Sequence, residues 1–187
     1  GGGEFVALTG PSGSGKSSLL NILGCLDHPS SGHYLIEGQD AARLDDEAAS
    51  DLRNRRIGFV FQSFHLLPRL SVLENVAIGA HLSSDKGVLS SAWRLDRTEE
   101  ARILKEAAYQ IERVGLTEFM YEEAGSLALG QQRILEIARA LCADPCLLLL
   151  DEPAAGLRFK EKEALGELLK KLRAEGMATL IVEHDMD

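Results

Sequence analysis

Residues 10–17 read Gly10-Pro11-Ser12-Gly13-Ser14-Gly15-Lys16-Ser17, a glycine-rich loop that ends in a lysine and a serine. The apolar residues 5–9 before it predict a short strand, and the apolar spacing of residues 17–23 after it predicts a helix. In this order, the pattern G-x-x-x-x-G-K-S indicates a phosphate-binding loop, because glycines let successive backbone N–H groups converge on phosphate oxygens at a helix N-terminus. Lys16 supplies a mobile positive charge, and Ser17 offers a hydroxyl to Mg²⁺.

The composition favours one ordinary domain with a real core. The chain has 187 residues, of which 45% are hydrophobic and 26% charged. Its net charge of -9 argues against a broad basic surface, so no nucleic-acid partner is expected. No apolar run approaches the roughly 20 residues that cross a bilayer, and the first residues lack a signal-peptide pattern. We therefore expect a soluble, cytoplasmic chain.

The three cysteines are predicted to carry no chemistry. Cys25, Cys142 and Cys146 form neither an even disulfide set nor a metal pair with nearby histidines. They are interpreted as reduced packing residues.

Apolar runs along the chain predict a parallel sheet. Strands are expected at residues 34–36, 57–61, 147–150 and 179–182. The last two lack alternation, as strands covered on both faces do. A helix is expected at residues 131–143, directly after Gly130, and a crossover helix is expected to carry Leu165, Leu168, Leu169 and Leu172. Residues 39–56 are interpreted only as a polar stretch.

Residues 73–127 change to a charged, helix-forming composition and predict a helical subdomain. Ile103, Ala107, Ile111 and Val114 fall near one helix face, and Gly115 is the expected stop. The predicted fold class is therefore α/β, a P-loop NTPase core whose mainly parallel sheet is flanked by helices, with an inserted helical subdomain. The expected division is 1–72 for the first part of the core, 73–127 for the subdomain and 128–187 for the second part.

Four polar side chains follow the predicted strands and are candidates for chemistry. Asp151 ends a buried strand, where it can hold Mg²⁺ or its water, and Glu152 can polarise an attacking water. Gln62 follows residues 57–61, where its amide can reach Mg²⁺ or water. His184 follows residues 179–182 and can donate a hydrogen bond to a γ-phosphate. Taken alone, Gln62 would be a surface glutamine and His184 a histidine without function.

The sequence resembles the ATPase subunits of ABC transporters over essentially its whole length. The resemblance is carried, in order, by residues 10–17, Gln62, Leu127-Ala128-Leu129-Gly130-Gln131-Gln132, residues 147–152 and His184. In that family these are the Walker A phosphate loop, the Q-loop, the signature motif, Walker B and the H-loop. The resemblance implies a Mg²⁺-dependent ATPase that binds ATP between two head-to-tail subunits. It also implies coupling to a transmembrane transporter subunit and a peripheral position on the cytoplasmic face of the cell membrane.

Site roles follow from the same resemblance. The implied catalytic residues are Lys16 on the phosphates, Gln62, Glu152 as the general base and His184 on the γ-phosphate. The implied Mg²⁺ ligands are Ser17, Gln62 and Asp151. The implied nucleotide-binding residues are Gly10, Ser12, Gly13, Ser14, Gly15, Lys16, Ser17, Ser18, Leu127, Ala128, Gly130 and Gln131.

Three positions depart from the family pattern. Ala128 stands where the signature serine would contact the γ-phosphate of the partner subunit, and Arg158 stands where an Asp or Asn is usual. The aromatic residue that stacks on adenine upstream of the loop has no counterpart. The chain starts on a strand and stops at Asp187 without a closing element, so truncation at both ends is expected.

Subfamily signals conflict. Residues 21–27 and 58–62 resemble lipoprotein-release or macrolide-export ATPases. Residues 127–141 and 151–157 resemble branched-chain amino-acid importers, as does the long helical segment that includes residues 83–97, so import of such amino acids is the favoured interpretation. Substrate choice resides in other subunits.

Three other interpretations remain open. A truncated fragment would bind nucleotide without turnover. A non-transport ABC ATPase, acting in DNA repair or translation, would need a second cassette or a long coiled coil. A P-loop kinase for small molecules leaves Gln62, residues 127–132 and His184 without a role.

Overall fold

The computed structural model describes residues 3–11, 13–82 and 97–184. The elements are, in chain order, β1 (Phe5–Gly10), α1 (Lys16–Leu23), β2 (Leu35–Ile36), β3 (Gln39–Asp40), α2 (Asp46–Arg56), β4 (Ile57–Val60), α3 (Val72–Leu82), α4 (Arg97–Arg113), α5 (Leu129–Leu141), β5 (Leu147–Asp151), α6 (Phe159–Ala174) and β6 (Ala178–His184). Within these ranges, every helix is too short or too polar to cross a membrane.

A four-stranded parallel sheet forms the centre of the fold, with the strand order β1-β6-β5-β4. The leucines of the interior strand β5 are buried as predicted, and Leu148, Leu149 and Leu150 are 0% exposed. Because side chains alternate along a strand, Leu148 and Leu150 pack on one face and Leu149 packs on the other. Helices α1 and α2 cover the face of Leu149, and helices α3 to α6 cover the opposite face. This layered arrangement confirms the predicted α/β class.

The region predicted as helical does contain two long helices, α3 and α4. The expected apolar face of α4 is buried, with Ile103 and Ile111 facing the core shared with α5. Gly115 follows the helix with φ +80°, a left-handed conformation that glycine adopts without strain and that commonly ends helices. Residues 83–96 are part of the segment that resembles branched-chain amino-acid importers, and they lie outside the described part of the chain. The division at residues 72 and 127 stays a prediction.

Several element boundaries differ from the prediction by one or two residues, among them the start of α5 and the end of β4. Helix α5 begins at Leu129 and not at Gln131, so Gly130 lies inside the first turn. The reason is local, because the Gln131 side chain accepts the Ala128 N–H at 2.9 Å and the Gln132 N–H reaches the Ala128 carbonyl at 2.9 Å. Strand β4 ends at Val60, one residue before the predicted end.

The polar stretch that ends at Arg56 contains helix α2, which the hydrophobic pattern does not predict. Only Ala49 of this helix is buried, so it lacks the apolar stripe on which such predictions depend. The features that indicate this helix in the sequence lie at its two ends. Asp45 caps the N-terminus by accepting the Ala48 N–H at 2.8 Å, and the last turn holds basic residues.

The cysteines agree with the prediction. All three are free thiols, Cys25 and Cys142 are buried, and Cys146 is half-buried. Burial raises the pKa of Cys142 to about 12, so this thiol stays protonated and unreactive at neutral pH.

Candidate active site

The loop between β1 and α1 has the backbone of a phosphate cradle. Gly10, Gly13 and Gly15 have φ values of +154°, +81° and +88°, and Gly15 directly precedes the first residue of α1. A Cβ on Gly13 or Gly15 would meet nothing within 4 Å. The two glycines are therefore required by their left-handed backbone rather than by crowding within the chain. Ser12 lies outside the described residues.

The Lys16 ammonium group lies across this loop. Its Nζ donates to the carbonyls of Gly10 at 2.5 Å and Pro11 at 2.8 Å, and it is 3.4 Å from the Ser14 hydroxyl. Ser17 and Ser18 follow in the first turn of α1 and are exposed. The loop thus presents a cation, hydroxyl groups and the N-terminus of a helix on one surface, which suits a phosphate chain.

The sheet brings the other predicted residues to the same edge. Gly10 pairs with His184, and Asp151 pairs with Val182, so β1, β5 and β6 all end beside the loop. Parallel strands present their carboxyl ends together, and this is where α/β folds bind ligands. The structure describes the backbone of His184 in β6, but its side chain lies outside the described part.

Glu152 and Gln62 meet although they are 90 positions apart. The Gln62 Nε2 donates to the Glu152 Oε2 at 2.8 Å. Glu152 also departs from strand geometry, since its φ is +47° while its N–H still reaches the Val182 carbonyl at 2.9 Å. A left-handed conformation is uncommon for glutamate, and such outliers cluster at functional sites. The turn holds the carboxylate next to the amide at the end of β5.

The residues at this edge suit a magnesium ion. Ser17, Gln62 and Asp151 offer hydroxyl, amide and carboxylate oxygens, the donor types that Mg²⁺ prefers. Among the described residues, no group of three or more His, Cys, Asp or Glu side chains could hold a metal by itself. Mg²⁺ sites commonly use one or two protein ligands together with water and substrate phosphates.

The predicted signature residues form the start of α5 and contact α6. Leu127 is buried, Ala128 occupies the N-cap position of α5, and the Gly130 N–H donates to the Glu161 Oε1 of α6 at 3.1 Å. A Cβ on Gly130 would lie 2.7 Å from the Glu161 Cβ, so this glycine is required by close packing of the two helices. No hydrogen bond joins residues 127–132 to residues 10–18 in the part of the chain that the structure describes.

Ala128 leaves the N-terminus of α5 without a side-chain cap. Its φ of -60° and ψ of 153° already match the extended conformation of a capping residue. Replacing Ala128 with serine is therefore expected to stabilise the chain by about 1 kcal/mol, because the new hydroxyl can accept an orphan N–H of the first turn. Thermal unfolding would measure this gain in stability. A melting temperature unchanged or lowered relative to the parent chain would contradict the N-cap geometry of residue 128.

Sequence reasoning missed three charged residues of α5. Arg133 and Glu136 are 1% and 2% exposed and form an ion pair of 2.7 Å, and Arg139 follows one turn later. All three contact the backbone of the segment that contains Gln62. A signal was present, since Arg133 lies one turn before the buried Ile137 on the same face of the helix.

Known proteins share this combination of fold and motifs. The ABC transporter family model matches residues 1–155. An uncharacterized ABC transporter ATP-binding protein of Thermotoga maritima is 43% identical over 185 residues, which are 99% of this chain and 74% of that protein. The macrolide export ATP-binding/permease protein MacB of Syntrophobacter fumaroxidans is 45% identical over 184 residues, which are 98% of this chain but only 24% of that protein.

A solved structure has the same fold. It is the ATP-binding cassette MJ0796 in a dimeric post-hydrolysis state bound to ADP and Pi, with a TM-score of 0.78 and 38% identity. The match covers 99% of this chain and 76% of that one. On these similarities and on its own loop and sheet-edge residues, the chain belongs to the ABC transporter family as an ATP-binding domain.

Proposed function

We propose that this chain binds ATP with Mg²⁺, hydrolyses it as half of a dimer, and drives transport through a membrane-embedded partner. The observation that carries this proposal is the 2.8 Å hydrogen bond between Gln62 and Glu152 at the sheet edge where the Lys16 loop ends. A carboxylate, an amide and a phosphate cradle at one edge are the parts that ATP hydrolysis requires.

Each side chain has a role in this mechanism. The Lys16 ammonium exchanges its loop carbonyls for phosphate oxygens, and Glu152 accepts a proton from the attacking water. Gln62 orients that water or the metal, and His184 donates to the γ-phosphate. Bound Mg²⁺, held by Ser17, Gln62 and Asp151, would neutralise charge that develops on the phosphates. Such catalysis depends mainly on positioning and charge, because phosphoryl transfer needs little covalent chemistry from the protein.

The dimeric state of the MJ0796 cassette supports a head-to-tail dimer for this chain. In this arrangement Leu127, Ala128, Gly130 and Gln131 of one subunit face the nucleotide of the other. The contact of these residues with the nucleotide of the other subunit is weakened in this chain, because Ala128 has no hydroxyl and the Gly130 N–H is already donated to Glu161. The N-terminus of α5 still supplies a favourable dipole.

An apolar groove beside Gln62 supports a membrane partner. The cavity of about 320 Å³ is lined in part by Leu26, Ile57, Phe59 and Phe61, and the Leu26 and Phe61 side chains are exposed. Exposed apolar groups that share one groove are typical of protein-binding sites. We assign this groove to a short apolar segment of the transmembrane subunit, which would then contact the residue directly before Gln62.

The test is ATP turnover with Mg²⁺ measured against protein concentration. A rate per subunit that rises with concentration is expected, because two chains complete each site. Lys16→Ala should lower this rate by about 10²–10³-fold, the usual effect of removing one donor to a developing charge.

The matched control is Lys170→Ala, which removes an exposed lysine of α6. It should leave turnover unchanged. Nucleotide binding without turnover at every concentration would reject hydrolysis and favour the truncated fragment. ATP-dependent labelling of a small acceptor would instead favour a kinase. ATP turnover in the cell that is the same with and without a membrane partner would favour a non-transport ATPase.

The cargo is a separate proposal. The resemblance of residues 127–141 and 151–157 to branched-chain amino-acid importers favours import, whereas the MacB relative is named for macrolide export. We retain amino-acid import as the proposed direction. In an assembly reconstituted with its membrane subunit, turnover stimulated by leucine would support import, and turnover stimulated by a macrolide would reject it.

A further inference from the structure

The segment from Phe61 to His65 is held by the side chains of α5. No helix or strand includes these residues. The Arg133 guanidinium donates to the Phe61 carbonyl at 2.6 Å and to the Gln62 carbonyl at 3.0 Å. The Glu136 carboxylate accepts the His65 N–H at 2.9 Å. Side chains of one helix thus satisfy backbone groups on both sides of Gln62.

The contacts form a connected cluster, which we call the α5 charged cluster and define as Arg133, Glu136 and Arg139. Arg139 adds a hydrogen bond of 2.6 Å to the His65 carbonyl. The Arg133 guanidinium also lies over the Phe64 ring, with its central carbon 4.3 Å from the ring centroid. The 61–65 segment is therefore fixed by its backbone at three residues and by a ring at a fourth.

The geometry of Arg133 is not what stability alone would select. Its Nε is buried without a hydrogen-bond partner, although both terminal nitrogens are used on the segment carbonyls. A buried ion pair is often no more stable than a well-packed apolar pair of similar size. The arrangement instead fixes the two carbonyls that flank the Gln62 side chain.

We propose that Arg133 and Glu136 are positioning residues for hydrolysis, which hold the 61–65 segment so that the Gln62 amide reaches Glu152. The same contacts tie this segment to α5, whose N-terminus carries Ala128 and Gly130. A shift of α5 when a second subunit docks would then be transmitted to Gln62 and the general base. This inference rests on the proposed function and deepens it, because it names how the two ends of the site are coupled.

The first test replaces the ion pair with apolar residues in the double variant Arg133→Met/Glu136→Leu. Because such exchanges are often neutral for folding, the melting temperature should stay close to that of the parent chain. The kcat for ATP should fall by about 10–100-fold, the usual effect of losing a supporting contact. The KM for ATP should change by less than about threefold, since the phosphate loop is untouched. Unchanged kcat would overturn the proposal.

A double-mutant cycle separates positioning from a merely structural role. If the cluster acts through Gln62, the double variant should lower kcat little further in a Gln62→Ala background, because interacting residues give non-additive effects. If the double variant and Gln62→Ala each lower kcat by independent factors that multiply, the cluster acts elsewhere and the proposal is overturned. Arg113→Lys is the matched control, because Arg113 forms a part-buried ion pair with Glu175 away from the segment. It should leave kcat unchanged.

Two further measurements keep the test decisive. If the double variant fails to fold, Arg133→Lys enters the same cycle, since lysine keeps the charge but cannot bridge both carbonyls. If the parent chain shows no turnover, the proposed function fails. Hydrogen exchange of the 61–65 amides then tests whether α5 holds this segment. Faster exchange in the variant at unchanged global stability supports the positioning contact, and equal exchange overturns it.

Discussion

Glu152→Gln is expected to lower ATP turnover by about 10²–10⁴-fold while nucleotide binding persists, because a general base contributes about this much. Glutamine has nearly the same shape, and its amide oxygen can still accept the Gln62 Nε2 that now lies 2.8 Å from Glu152. The substitution therefore removes the negative charge and the basicity but keeps the arrangement. The phosphate loop, which lies at the end of β1, is unaffected.

Two measurements check this prediction. Phosphate release at saturating ATP reports turnover, and a fluorescent ATP analogue reports binding. An ATP-bound dimer should accumulate in the variant, since hydrolysis no longer separates the subunits. Glu167→Gln is the control, because Glu167 is an exposed residue of α6 paired only with Lys170 among the contacts described. Undiminished turnover in Glu152→Gln would reject the assignment of the general base.

Gly79→Ala is expected to destabilise the chain by about 1–3 kcal/mol, the usual cost of overpacking. Helix α3 passes so close to α5 that a Cβ on Gly79 would lie 2.3 Å from the Arg139 carbonyl oxygen and 3.1 Å from its carbonyl carbon. A backbone oxygen cannot rotate away as a flexible side chain can, so the two helices must separate. For a domain of this size, each kcal/mol lowers the melting temperature by about 2–4 °C.

The control for this helix crossing is Gly166→Ala. Gly166 lies inside α6, and a Cβ there would meet nothing within 4 Å. Alanine should stabilise this helix by about 0.5–1 kcal/mol, because glycine is the poorer helix former. Thermal unfolding of the two variants should therefore shift in opposite directions. Equal melting temperatures for Gly79→Ala and the parent chain would contradict the close approach of α3 and α5.

The predicted elements and the observed ones differ where side-chain pattern and local bonding disagree. The continuous apolar runs of β5 and β6 predict these strands correctly, because burial on both faces removes any need for alternation. Strand β1 lies at the edge of the sheet, and its Phe5 and Val6 side chains are exposed. Helix α2 was missed because only Ala49 is buried, so its capping residue Asp45 was the better signal. The predicted start of α5 is two residues late because the helix is expected directly after Gly130, whereas the Gln131 side chain closes a first turn that includes Gly130.

The sequence alone determined that a phosphate loop joins a strand to a helix, and that Gln62, Asp151, Glu152 and His184 follow predicted strands. These are local features, since glycine spacing and apolar runs are properties of neighbouring residues. The assignment of chemical roles to these side chains stays a prediction.

Only the tertiary structure decided which distant groups meet. Gln62 bonds Glu152 across 90 positions, Arg133 holds the Gln62 backbone across 71, and the Gly130 N–H is donated to Glu161 across 31. No local pattern encodes such contacts, because they arise when β4 pairs with β5 and when α5 packs against the loop after β4 and against α6. The physical reason is that a hydrogen bond depends on positions set by the whole core, whereas a motif depends only on the order of residues along the chain.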